Sequence, residues 1–495
     1  MLSPEELAAL AVDRGIDMPV LTDINNTSGV FEFVKACRGR GISPRVGIEF
    51  RNDNRWLYTG VALNFKGFGE LNRFLSYYRL RGEPLPDRPP AFRDAVVVWP
   101  WGSQAPWELG EQEYVGIRHF QLRQLVTSPW RYRQEKLIIW QPAVFADRWG
   151  MELHRHLRAI DRNTLLDRVE GHDTASPYDW MVPRKRLMGA FADYPRIVKA
   201  TEQLMAQLSF DFDFDGIKNK SIYTGSRPDD EQLLRSLALD GLKERYGADH
   251  TVARERVEKE LHIIRQLGFA AYFLITWDII RYSMSRGFYH VGRGSGANSV
   301  VAYCLKITDV DPIELNLYFE RFLNPKRSSP PDFDIDYSWR ERDEVQQYIF
   351  KRYGEGHTAL LGAISTFQER AAIRELGKVY GLPKEDIDAM TTPSGPPEEG
   401  SLEARIRQMG RQLGGFPNLR TIHAGGILIS DAPITDYTTL DMPPKGLPAT
   451  QWDMYTAEEI GFEKFDVLSQ RGIGHIRECI DIVHNNRGEK IDMHR

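Results

Sequence analysis

Along residues 1 to about 200, helix-period stretches such as PEELAALAVDRG and VFEFVKACRGRG alternate with short apolar runs ended by turns, MPVLTD, RVGIEF, AVVVWP and EKLIIW. Apolar positions three and four apart predict helices, and short bounded apolar runs predict strands. This part therefore reads as repeated β/α units, a β/α barrel or a layered sheet. LSFDFDFDGIKNKSIYTGS is polar and extended and reads as a connector. From Val252 the spacing of Val257, Leu261, Ile264 and Leu267 is helical, and a second helix, AYFLITWDIIRYSMSRG, stops at Gly287. The loop YHVGRGSGAN then opens the helix SVVAYCLKI. Asp311 as N-cap with Pro312 at the first helical position predicts a helix over DPIELNLYFERFL. Capping boxes of Ser338 with Glu341 and of Thr366 with Glu369 predict a helix ending near Gly354 and another over FQERAAIRELGKVYG. TTPSGPPEEGS, 391–401, is a flexible loop by composition. Strand-like runs return at GGILIS and FEKFDVL, and a helical pattern, IGHIRECIDIVHNNRG, follows. No internal repeat is visible.

Between the two capped helices lies PPDFDIDYS, in which Asp332, Asp334 and Asp336 alternate with Phe333, Ile335 and Tyr337. Residues i and i+2 of a strand point the same way, roughly 6.5 to 7 Å apart, so the three aspartates share a face. Each adjacent ionised pair repels by roughly 2 to 3 kcal/mol at an effective dielectric near 20, and by about 0.6 kcal/mol in water. Burial of such a face demands a cation, whereas a solvated edge strand demands nothing and would even profit from the charge. Asp211, Asp213 and Asp215 in FDFDFDG alternate in the same way, but they run into a lysine-bearing polar loop and are read as solvated. Carboxylates held on a central strand suit magnesium, which prefers oxygen ligands and bridges to phosphates.

Two further pieces change what that strand means. In HVGRGSGANS, Gly292, Gly294 and Gly296 allow close backbone approach to a ligand, and Arg293 and Ser295 add charge and a hydroxyl. Taken alone the motif is weak, since a helix capped by Ser295 after a tight turn explains it equally well. In GFEKFDVL, a strand would put Lys464 and Asp466 on one face, where a surface ion pair is the plain alternative to part of a metal site.

Composition adds limits. A chain of 495 residues suggests two to four domains, and 42% hydrophobic with 27% charged residues is ordinary for a globular protein. MLSPEEL has no basic segment followed by an apolar core, and no stretch approaches the roughly 18 uncharged apolar residues of a membrane span. No membrane association and a cytoplasmic location are expected. Cys37, Cys304 and Cys479 are scattered, with no CxxC spacing, so neither a disulfide framework nor a thiolate zinc site is expected. The net charge of -5 does not advertise a nucleic-acid binder, although an acidic centre and a basic groove can cancel within one chain.

Taken together, VGRGSGANSVVAYCLKITDVDPIELNLYFERFLNP, PPDFDIDY, HAGGILIS and KFDVL, in that order, closely resemble the bacterial C-family DNA polymerases, the DNA polymerase III alpha subunits. The similarity runs from about residue 220 to 475. MPVLTDINNTSGVFEFVKA and RVGIEF resemble that family's PHP domain. The resemblance implies an α/β multidomain fold: a PHP-type distorted β/α barrel, a polymerase-β-like nucleotidyltransferase palm with a mixed sheet, and a helical thumb. The implied divisions are 1–200 PHP, 201–363 first part of the palm, 364–421 thumb, 422–471 second part of the palm, and 472–495 the start of the fingers.

The implied activity is template-directed DNA synthesis by two-metal nucleotidyl transfer, with Mg²⁺ as cofactor and primer-template DNA and dNTPs as substrates. Asp332, Asp334 and Asp466 match the family's catalytic, metal-holding aspartates, and Asp336 is left a supporting or structural role. Arg293, Gly294, Ser295, Gly296 and Lys464 match nucleotide-binding positions. Arg370, Arg374 and Lys378 form a basic stripe at i, i+4 and i+8 in the thumb-like region, a candidate DNA contact; Glu369 and Glu375 leave a solvated salt-bridged face as the alternative.

A proofreading exonuclease subunit and a sliding clamp are the implied partners, the clamp-binding region lying outside this chain. The family's opening HxH is missing, and its TDH triplet reads Thr22, Asp23, Ile24. Glu49 alone does not make a metal cluster, and His154 and His156 in LHRHL diverge on a helix. The PHP domain is therefore expected to lack phosphoesterase activity and to serve as scaffold or dock. The family's later segments lie beyond Arg495, so the chain resembles a fragment, and an intact palm does not guarantee independent activity. A PHP-type metal-dependent phosphoesterase and a non-catalytic scaffold are the alternatives.

Overall fold

A computed structural model describes residues 2–324, 333–392, 395 and 397–491. The chain divides into two compact units, one of residues 1–212, 364–421 and 435–439, the other of 213–363, 422–434 and 440–495.

The first unit holds a mixed sheet of β1 (Val20–Leu21), β2 (Arg45–Asn52), β3 (Arg55–Ala62), β4 (Ala95–Pro100), β5 (Glu113–Ile117) and β6 (Leu137–Ile139), in chain order. Strict β/α alternation fails at its centre. The polar run Asn52-Asp53-Asn54 turns the chain back, with Asp53 in the left-handed region at φ 52°, so β2 and β3 form an antiparallel hairpin. The helix Phe65–Arg81 follows, with the Asn64 side chain accepting from the Lys66 and Gly67 amides at 2.9 and 3.1 Å. Phe31, Phe50, Tyr58, Phe68 and Trp99 are buried among these elements. A separate core joins the helix Arg148–Asp161, through Leu153, to the helices Glu369–Val379 and Leu402–Leu413, through Ile373, Leu376, Met409 and Leu413.

A second sheet, belonging to the second unit except for residues 364–366 and 417–421, is made of β7 (His290–Arg293), β8 (Asp334–Ser338), β9 (Thr358–Thr366), β10 (Pro417–Ile429), β11 (Leu440–Asp441), β12 (Ala449–Thr450) and β13 (Phe465–Gln470). Their order is β11-β12-β9-β10-β13-β8-β7, so the acidic strand β8 is interior, flanked by β13 in parallel and β7 antiparallel. The helix Ala270–Ser285 is apolar nearly all round and correspondingly buried. Its one buried carboxylate, Asp278, is met by Arg281 at 2.8 Å, Tyr348 at 2.9 Å, Tyr353 at 3.1 Å and Arg352 at 3.3 Å. Such a group is tolerable inside only when paired, and these donors hold its pKa below the usual carboxylate value against the burial that would raise it. No single helix among the described residues is long and apolar enough to cross a membrane.

Several sequence expectations are corrected here. Asp311 does accept from the Ile313 and Glu314 amides, at 2.8 and 3.2 Å, yet no helix propagates. Asn316 turns left-handed at φ 49°, and only Phe319–Arg321 makes a 3-10 turn, because Phe319, Phe322 and Leu323 are all drawn into the core. Neither predicted capping box forms. Ser338 ends β8, and the helix Arg342–Tyr353 starts after Glu341 without a side-chain cap; Thr366 ends β9, and Gln368 precedes the helix Glu369–Val379. The helix after the glycine loop is only Val300–Cys304, capped by Ser299, whose hydroxyl accepts from the Ala302 amide at 3.0 Å. Part of the 391–401 segment lies outside the described residues.

Within β7, a Cβ on Gly292 would lie 1.9 Å from the Ile307 carbonyl oxygen, in contact with backbone that has no rotamer to change. Gly292→Ala is therefore expected to cost about 1–3 kcal/mol, read as a lowered urea midpoint. An unchanged midpoint would mean that the strand has room which this packing denies it.

Candidate nucleotidyl-transfer site

The site is built by strand register. Asp334 on β8 is the Cα partner of Asp466 on β13 and of Arg293 on β7. Paired residues of adjacent strands sit about 4.8 Å apart with side chains on the same face, so two carboxylates and a guanidinium form a row across the sheet. At an effective dielectric near 20, two ionised carboxylates at about 5 Å repel by roughly 3 kcal/mol. Cations from neighbouring positions offset this. Arg293 donates from Nη1 to Asp334 Oδ2 at 3.1 Å and from Nε to Asp336 Oδ2 at 2.9 Å, and Lys464 Nζ donates to Asp466 Oδ2 at 2.6 Å. Asp336 and Asp466 are buried, and Asp334 is half-buried.

The other oxygens of the two buried carboxylates, Asp336 Oδ1 and Asp466 Oδ1, have no hydrogen-bond partner among the described residues. An anionic oxygen left this way inside a protein is costly and fits a cation. His423 Nδ1 stands 3.7 Å from Asp466 Oδ1, but it accepts from the Gly425 and Gly426 amides at 3.3 and 2.8 Å, which leaves the ring proton on Nε2. Asp332 lies outside the described residues; among those described, no group of three or more histidines, cysteines or carboxylates is arranged to hold a metal ion.

The glycine loop meets this row at its β7 end. Gly294 is left-handed at φ 76°, and a Cβ there would lie 3.0 Å from Asp334 Oδ2. Glycine is what lets the loop turn directly over the carboxylate. Gly296 faces the Phe333 ring, which a Cβ would meet at 2.7 Å, while Ser295 is half-buried and its carbonyl accepts from Asn298 Nδ2 at 2.8 Å. Arg293, Asp334 and Asp466 are thus neighbours in one sheet, with Gly294, Ser295 and Gly296 in the turn that follows β7 and Lys464 immediately before β13.

The basic stripe belongs to the first unit. Arg370, Arg374 and Lys378 are all exposed on one helix; Arg374 pairs with Asp388 at 2.7 Å and Lys378 with Glu375 at 2.6 Å, as the solvated-face alternative anticipates. Asp211, Asp213 and Asp215 are exposed and outside any strand.

In the N-terminal region two of the acidic groups, Glu49 and Asp179, are matched by arginines that the sequence reading did not single out. Arg51 Nε donates to Glu49 Oε1 at 2.5 Å, and Arg118 pairs with Asp179 at 2.6 Å. Burial, reinforced by Glu49, pushes Asp23 up to about 6. His154 and His156 are both engaged. His154 Nε2 accepts from the Ala175 amide at 2.9 Å, and His156 bonds the Glu152 carbonyl at 2.8 Å and the Tyr380 hydroxyl at 2.7 Å.

Residues 232–469 match the family model described as the bacterial DNA polymerase III alpha NTPase domain, and residues 1–98 match the PHP domain model. An error-prone DNA polymerase of Symbiobacterium thermophilum is 30% identical over 98% of this chain and 51% of its own length. DNA polymerase III alpha subunits of Bacillus subtilis and Escherichia coli K12 are each 28% identical, over 99% and 98% of this chain and 48% of their own lengths. The chain carries the PHP and DNA polymerase III alpha NTPase family domains, is similar over nearly its whole length to proteins named DNA polymerase III subunit alpha and error-prone DNA polymerase, and spans about half the length of the curated relatives it matches.

Burial, reinforced by nearby arginines, lowers the pKa of His154 to about 4. An unfolded histidine takes its proton near 6.5, so between these values the unfolded chain binds more protons. The stabilisation is complete above about 6.5 and is lost as pH falls toward 4. His154→Gln removes this dependence: the thermal midpoint of the native chain, relative to the variant, is expected to decline between pH 7 and 4.5. A constant difference would contradict a neutral, half-buried His154.

Proposed function

We propose that the second unit carries the centre for template-directed DNA synthesis, joining the α-phosphate of a dNTP to a primer 3′-hydroxyl with release of pyrophosphate. The register of Asp334 with Asp466 on adjacent strands beside a glycine loop is the observation that carries this reading. The names of the relatives point the same way. Asp332, Asp334 and Asp466 would hold the divalent ions, with Mg²⁺ favoured by an all-oxygen donor set that leaves room for phosphate. When bound, such ions polarise phosphoryl oxygens and lower the pKa of a coordinated hydroxyl.

The chain's own residues do the rest. The Arg293 guanidinium, already matched to two carboxylates, presents the planar fork suited to phosphate oxygens, and Lys464 supplies a point charge beside Asp466. Amides of Gly294, Ser295 and Gly296 and the Ser295 hydroxyl receive the triphosphate, adding fixed dipoles where negative charge accumulates. In this reading 201–363 and 422–471 form the palm, 364–421 the thumb and 472–495 the start of the fingers. The PHP domain, 1–200, serves as scaffold or as dock for a proofreading exonuclease subunit. Primer-template DNA is the substrate, a sliding clamp is a partner of the longer protein, and the setting is the bacterial cytoplasm.

Asp334→Asn keeps the side-chain shape and removes its charge. In the chain extended to the full length of its relatives, magnesium-dependent primer extension is expected to fall at least about 100-fold; extension near the original rate would defeat the metal assignment. DNA held through phosphates loses affinity steeply with salt, and Arg374→Ala is expected to reduce the slope of log affinity against log salt by about one. An unchanged slope in a duplex-binding titration removes the stripe from the DNA interface.

A further inference from the structure

Behind the glycine loop stands an ion pair that the proposed chemistry does not itself use. On the helix Thr251–Leu267, Glu260 is fully buried, and every partner found for its carboxylate is a donor. Its Oε1 accepts from Arg256 Nε at 2.9 Å and from the Val300 amide at 3.1 Å; its Oε2 accepts from the Ser299 hydroxyl at 2.8 Å and the Val301 amide at 3.0 Å. Arg256 Nη2 in turn donates to the carbonyls of Asn298, at 3.2 Å, and Leu317, at 3.0 Å. Asn298 then reaches back through Nδ2 to the Ser295 carbonyl. The loop Gly294–Asn298 is therefore tied at one end to the acidic strand, through the pairing of Arg293 with Asp334, and at the other to a charged pair on a core helix.

A buried carboxylate with these partners is far more than a helix cap needs. The helix it touches is five residues long, and its Ala302 amide is already served by Ser299. Desolvating the pair is costly, and such a pair is more often kept for geometry than for net stability. What it fixes here is the backbone whose amides would face the triphosphate, and amide donors help only when they are held in place before the ligand arrives.

We infer that Arg256 and Glu260 are positioning residues of the nucleotide site: by clamping Asn298, Ser299, Val300 and Val301, they hold the Gly294–Asn298 loop in its phosphate-receiving conformation. The inference rests on the reading of Gly294, Ser295 and Gly296 as the nucleotide loop. The test measures dATP binding to the whole chain in Mg²⁺ by calorimetry, with amide hydrogen exchange read in parallel. Arg256→Ala is expected to weaken dATP binding about tenfold, to speed exchange in 294–301 while exchange in β8 and β13 changes little, and to lower the thermal midpoint, because the buried Glu260 loses its countercharge. Arg256→Lys, which keeps the charge with a single point donor, is expected to recover part of the affinity. Glu260→Gln is the second variant, for use if Arg256→Ala does not fold, with the same expected losses. Faster loop exchange with unchanged dATP affinity would overturn the inference and leave the pair purely structural. If the native chain itself does not bind dATP, the nucleotide reading falls and this inference falls with it.

Discussion

The register of one strand governs this site. With β8 held between β7 and β13, Asp334 has Arg293 on one side and Asp466 on the other. Because side chains alternate along a strand, sliding β8 by one residue would turn its aspartates to the opposite face and bring Phe333, Ile335 and Tyr337, now buried, out of the core. Apolar packing on one face thus fixes the electrostatics of the other. The cost is a set of carboxylates held near one another and away from bulk water, offset by Arg293 and Lys464 in the protein as it stands.

The first unit handles buried acids differently. Asp23, Glu49 and Asp179 are also gathered in a poorly solvated place, where Arg51 and Arg118 supply countercharge to Glu49 and Asp179. A guanidinium is pinned to each of two acids, and the third, Asp23, is pushed up to about 6 by burial and by Glu49. In the second unit, Asp336 and Asp466 each keep one oxygen unmatched among the described residues. Each unit thus sets three acids against two cations; in the first the excess is met by the raised pKa of Asp23, and in the second the two open oxygens fit a further cation.

The parts of the site legible in the sequence were those written locally. The alternation of Asp334 with Asp336 and the proximity of Lys464 to Asp466 each lie within a few residues, and strand geometry puts the first pair on a shared face while the second forms an ion pair. What stayed hidden depends on partners far along the chain. Nothing near Glu260 announces that Ser299, Val300 and Val301 will donate to it, and His423 shows its role only through the two glycine amides that fix its tautomer. A histidine preceding a glycine pair was the available signal. In the fold, Asp311 was correctly read as a capping residue and its helix wrongly extended, because burial of Phe319, Phe322 and Leu323 outweighed local propensity. The β2–β3 hairpin was missed although Asn52-Asp53-Asn54 carries a turn composition.

The path of the chain carries one more consequence. The core around Leu153 is completed by Phe367, Ile373, Leu376, Met409 and Leu413, more than two hundred residues downstream. On a ribosome that emits residues in order, the first unit cannot close that core until most of the second has emerged. Apolar surface on the helix Arg148–Asp161 would then stay uncovered for the roughly 10 to 50 seconds that about 250 further residues take to synthesise. Such an exposed face is the kind of surface on which nascent chains recruit chaperones or aggregate.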